Sequence, residues 1–142
     1  MKTITDMSSF LDELRAGNHA ALQQRVDELR SEMSFSLTTL NRRLAGADGV
    51  PALVGKAASD AMEELSKPNT DTKLKIQSVV RDMTLMVQGM EGSLVNDATV
   101  REHTKRIILC LLRIAETSLA PEVRTGVITL AVEAKNRLQF GT

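Results

Sequence analysis

A chain of 142 residues, 42% hydrophobic and 25% charged, fits one globular domain with its own core and excludes a disordered or low-complexity polymer. Eighteen basic residues balance eighteen acidic ones, so no bulk charge draws the protein onto nucleic acid or an anionic membrane. Three Phe, no Trp and no Tyr leave Leu, Val, Ile, Met and Ala to fill the interior, a palette that suits helices better than sheets.

Taken in chain order, Ser8 or Ser9 opens a short helix through Arg15, with Asp12 favouring its positive end and Gly17 closing it. From Asn18 to about Ala45 the apolar residues are Leu22, Val26, Leu29, Met33, Leu37, Leu40 and Leu44. Their 4-3-4-4-3-4 spacing repeats every eleven residues. Eleven residues fill about three turns, so the stripe stays on one side of a nearly straight rod, the longest helix of the molecule. Such a stripe reads as one face of a bundle.

Gly46, Asp48 and Gly49 make a turn, and Pro51 suits the first turn of a helix that ends near Ser66. Its inner face, Val54, Ala58, Ala61 and Leu65, is small enough for a neighbour to approach closely. Asp71 to Met90 forms the next helix, with Ile76, Val80, Met83, Val87 and Met90 inside and Gly89 and Gly92 as its stop. Asn96 or Asp97 caps a helix reaching Glu116. There Val100, Ile107, Leu111 and Ile114 share a face, while Ile108, Leu109 and Leu112 widen it beyond a single stripe. The last helix opens with Pro121 and Glu122 and buries Val123, Val127, Leu130, Ala134 and Leu138. Its segment "GVITLAV" is strand-like in residue type, but the three-and-four spacing continues through it and keeps it helical. The fold class is therefore all-α: residues 1–142 form a single compact bundle of five to six helices with one long helix.

Several chemistries fail on spacing. The stretch "GADGVPALVGKAAS" resembles a phosphate-binding loop, but five residues separate Gly49 from Gly55 and Ala57 stands where the magnesium-binding hydroxyl belongs. It also follows a helix rather than a strand. Di-iron sites need Glu-x-x-His, and Ala16 and Val100 stand three residues before His19 and His103. One Cys and two His are too few for a zinc site of ordinary spacing. His103 and Cys110, seven residues apart on one helix, are separated by roughly 10 Å of rise, and an apolar surround makes Cys110 an inert buried thiol. His103 reads as a surface histidine beside Glu102 and Lys105. The N-terminal "MKTITDMSSFLDELRAG" has no apolar run, and no stretch approaches the ~20 apolar residues of a membrane span, so a cytoplasmic protein without a membrane partner is expected.

By elimination, function is expected to rest on surfaces. The reading is a non-enzymatic helical protein–protein interaction module, an adaptor, chaperone or regulator, that self-associates because its helices carry more apolar surface than one copy hides. The candidate contact residues are Met86, Ile108, Leu109 and Leu112; no catalytic, cofactor-binding or metal-binding residue is nominated. The alternative is a nucleic-acid-binding regulator using Arg101, Lys105 and Arg106 with the helix junction near Pro121. Against it, the helix after Pro121 is mostly apolar and no aromatic is placed to stack on bases.

Overall fold

The computed structural model describes residues 20–45, 50–67, 71–117 and 119–139. The short helix expected over 8–15 and the turn residues Gly46, Asp48 and Gly49 lie outside the described residues. Five α-helices account for most of the rest: α1 (Ala20–Leu44), α2 (Ala52–Ser66), α3 (Thr72–Gly89), α4 (Ala98–Ala115) and α5 (Pro121–Leu138), with one 3-10 turn at Gly92–Leu94 between α3 and α4.

Local chemistry sets the boundaries. The Asp71 carboxylate accepts from the backbone N–H groups of Lys73 and Leu74, at 3.1 and 3.3 Å, and so starts α3. Asp97 starts α4 in the same way, accepting from Thr99 and Val100 at 3.0 and 3.1 Å. Pro121 opens α5, where its missing N–H costs no helical hydrogen bond. At the end of α3, a Cβ on Gly89 would sit 2.8 Å from a Val54 methyl, so the glycine lets α2 and α3 close on one another. Gly92 takes a left-handed φ of 59° and turns the chain into the 3-10 segment.

Each predicted inner stripe is buried. All seven residues of the α1 stripe, from Leu22 to Leu44, belong to the core. So do Val54, Ala58, Ala61 and Leu65 of α2, and Val123, Val127, Leu130, Ala134 and Leu138 of α5. Around the bundle axis the order is α1, α2, α3, α5, α4 and back to α1. Cross-helix pairs give the directions. Thr38 with Met62 and Arg30 with the Ser66 carbonyl make α1 and α2 antiparallel, while Arg43 with Asp97 and Ser36 with His103 do the same for α1 and α4. A closed ring of five cannot alternate throughout, so one adjacent pair must run parallel. That pair is α3 and α5: Val80 lies beside Gly126, Gln88 beside Glu133, and the Met90 carbonyl beside Arg137. The fully buried Met33, Met83 and Met90, on the inner stripes of α1 and α3, bring flexible thioethers to the interior of the ring.

Candidate interaction surface

The four nominated contact residues part company in the folded chain. Met86 is fully buried and Ile108 is 4% exposed, so both are corrected from contact surface to core. The reason is the ring. On α3, Lys75, Val79, Asp82, Met86 and Gly89 share the side that meets α2, and the alanines Ala57, Ala58 and Ala61 let α2 come close enough to cover them. Ile108 lies on the side of α4 that meets α5. Leu112 is half-buried and packs against the core from that seam. Leu109 is exposed, but its neighbours on the outer side of α4 are Glu102, Lys105, Arg106 and Arg113, so it stands alone among charges.

Arg101 reaches toward the Gln139 carbonyl at 3.4 Å, at the end of the bundle holding the C-terminus of α5. Pro121 lies at the opposite end, about 25 Å away at 1.5 Å per residue of helix. Arg106 is engaged with Glu102 at 3.1 Å. Arg101 and the α4–α5 junction therefore lie at opposite ends of the bundle. Lys56, next to Gly55 in the loop-like stretch, sits inside α2 and pairs with Asp60 at 2.8 Å.

The polar groups of the interior are structural. His103, expected at the surface, is instead half-buried: its Nδ1 lies 3.1 Å from the Ser36 hydroxyl, and its ring meets the edge of Phe35 at 5.7 Å. Burial, then the Arg106 charge, holds the imidazole below its ordinary pKa. Ser36 is fully buried in the middle of α1, where no substrate reaches its hydroxyl. The Cys110 thiol is buried, and burial together with the Glu32 carboxylate pushes it up to about 11, so it carries no thiolate at neutral pH. Asp82 is 4% exposed between α3 and α2; one carboxylate oxygen lies 3.7 Å from Arg81 and the other has no hydrogen-bond partner. Burial raises its pKa, the Arg81 charge opposes the shift, and Asp60 and Glu64 add to it. Among the described residues no three His, Cys, Asp or Glu side chains come together as metal ligands, and no helix is long and apolar enough to cross a membrane.

One surface stands out. Of the seven large hydrophobics exposed among the described residues, four fall on the parallel pair: Leu74 and Leu85 on α3, Ile128 and Val132 on α5. The other three, Phe35, Leu53 and Leu109, lie one each on α1, α2 and α4. Along the outer side of α5 run Pro121, Thr125, Ile128, Thr129, Val132 and Asn136, all solvent-facing except where the groove covers them, and none charged. A groove of about 420 Å³ separates this side from α3, with Arg81, Thr84, Leu85, Glu122, Gly126 and Thr129 among its walls. The signal was present in "GVITLAV": it carries one stripe for the core and, through Ile128, Thr129 and Val132, a second that none of the described residues buries.

No family model, curated protein or solved structure matches the chain. The surface chemistry is what bears on function.

Proposed function

We propose that the protein is a non-enzymatic helical interaction module that works by docking, and that it self-associates through the outer side of α5 and the adjoining edge of α3. The observation that carries this reading is the uncharged side of α5. Helix surfaces turned to water ordinarily carry Glu, Lys and Arg, as the outer side of α4 does with Glu102, Lys105, Arg106 and Arg113. On α5 the same direction presents Thr125, Ile128, Thr129 and Val132, β-branched residues that are poorer helix formers than those they replace. Isolated exposed apolar residues are ordinary; a strip of them beside a groove marks an interaction site. The buried, deprotonation-resistant Cys110 and the enclosed Ser36 support a binding role over a reaction centre.

The test is the solution mass of the full chain by light scattering across a concentration series. A concentration-dependent rise to a dimer is expected, and Ile128→Glu is expected to return the protein to monomer with unchanged helical circular dichroism, because Ile128 is half exposed and carries no core packing. A wild-type chain that stays monomeric, or a variant that associates as well as wild type, overturns the reading.

A further inference from the structure

We infer that the occupant of the α5 face is a second copy of this chain, related by a two-fold axis parallel to α5, so that α5 lies alongside the second copy's α5 pointing the same way. This rests on the self-association proposed above and adds its geometry. The observation behind it is the charge arrangement flanking the uncharged strip. Projected at about 100° per residue, Glu122 and Glu133 border the strip on its α3 side, and Arg124 and Lys135 border it on the other. The acidic flank is anchored: Glu122 lines the groove to α3, and Glu133 accepts from Gln88 of α3 at 3.3 Å. On the basic flank Arg124 turns to the Leu119 carbonyl at 3.2 Å, in the α4–α5 connection. Arg81 also stands on the α3 side, as a wall of the same groove as Glu122 and leaning to Asp82 at 3.7 Å; against Glu122 and Glu133 it leaves that side net acidic, opposite the basic side of Arg124 and Lys135.

Symmetry then decides the orientation. A two-fold axis perpendicular to α5 and lying in the interface sets each flank against its own kind. Glu122 would meet the second copy's Glu133, and Arg124 would meet the second copy's Lys135. An axis parallel to α5 sets the acidic flank against the basic one at the same height. Glu122 then faces the second copy's Arg124, and Glu133 faces the second copy's Lys135, each pair occurring twice. Like charges brought together across an interface are costly and opposite ones steer association, so only the parallel arrangement is self-complementary. It also lays Thr125, Ile128 and Val132 against themselves, in the middle of the uncharged strip. Leu85 borders one flank and the half-buried Leu112 the other.

Variants of the full chain with one added cysteine read the geometry directly. Thr125→Cys and Val132→Cys are both on the exposed side of α5, and the native Cys110 is buried and unreactive at neutral pH. Under mild oxidation each variant alone is expected to form a covalent dimer, because residues beside a parallel two-fold axis meet their own counterparts. A second measurement uses sign. Lys135→Glu is expected to raise the dissociation constant severalfold, whereas an antiparallel pairing would lower it by setting the new carboxylate against Arg124. Dimers that crosslink only when the two cysteine variants are mixed, or that tighten with Lys135→Glu, overturn the parallel geometry while leaving self-association in place. A dimer in which neither cysteine crosslinks overturns the choice of face. A chain that is monomeric by light scattering overturns both this inference and the function on which it rests.

Discussion

Asp82 offers the sharpest test of how the interior is held together. Its carboxylate is almost wholly enclosed where α3 meets α2, with one oxygen lacking a partner. Asp60 and Glu64 act against its charge, and the Arg81 ion pair at 3.7 Å is made by a side chain 68% exposed. Such a pair returns less than about 1 kcal/mol, whereas an unsatisfied buried acceptor costs about 1–3 kcal/mol and more when charged. Asp82→Asn keeps the shape and removes the charge, so it is expected to stabilise the fold by about 1–2 kcal/mol at neutral pH. That corresponds to a rise in Tm of roughly 3–10 °C for a chain of this size. The pH dependence follows from the direction of the shift. Burial lifts the folded-state pKa above the ordinary 3.8, so the folded chain holds more protons than the unfolded one in the window just above that value. By linkage, wild type loses stability relative to the variant as pH rises through that window. Thermal unfolding followed by circular dichroism, run on both proteins from below pH 3.8 to neutrality, should show a difference that is small at the acid end and full at neutral pH. A gain of equal size throughout, or a variant less stable than wild type at neutral pH, refutes the idea that an unrelieved charge is what Asp82 costs.

Other substitutions test the packing and the corrected site. Gly126→Ala places a methyl at ordinary contact distance, 3.4 Å from Val80, in the interior of α5, and should stabilise by about 0.5–1 kcal/mol in urea denaturation. Gly89→Ala drives the same methyl to 2.8 Å from a Val54 methyl and should destabilise by about 1–3 kcal/mol, with Val54→Ala restoring part of the loss. Met86→Ala empties a fully enclosed site and should cost about 2–5 kcal/mol, while Leu109→Ala, exposed on α4, should change stability by less than about 0.5 kcal/mol. If Met86→Ala leaves stability untouched, its assignment to the core is wrong.

The all-helical bundle was legible because each helix announces its inner side at a spacing of three and four, and because Asp71, Asp97 and Pro121 are capping or first-turn residues whose role depends only on near neighbours. What periodicity cannot supply is how many neighbours a helix has. Met86 falls off the Met83–Val87–Met90 stripe and so looked free, yet α3 is gripped on two sides, by α5 and by α2, and the α2 grip covers it. Ile108 looked surplus for the same reason and is covered by α5. His103 was read from its charged sequence neighbours, but the helix turns it toward α1, where Ser36 and Phe35 receive it. Each of these misreadings concerns contacts between helices that are distant in sequence. The 3-10 turn at Gly92–Leu94 is different: three residues are too few to carry a period, and the positive φ at Gly92 is its only local mark.

α4 and α5 differ in how much of their apolar surface their neighbours cover. α4 has the richer apolar run, Ile107–Leu112, but it has neighbours on both flanks and charges on its outer side, so the run is largely consumed within the chain. The composition of α5 is milder, and its core stripe of Val123, Val127, Leu130, Ala134 and Leu138 already suffices to seat it. Thr125, Ile128, Thr129 and Val132 are therefore not needed to hold α5 in place. Each also lowers helix propensity by a few tenths of a kcal/mol relative to Ala, about 2 kcal/mol at most for the four together. Exposed residues that neither seat the helix nor favour its backbone gain stabilisation only when something covers them. The surplus is thus measured by what a helix exposes after its neighbours are in place, and among the described residues two of the seven exposed large hydrophobics, Ile128 and Val132, lie side by side on α5.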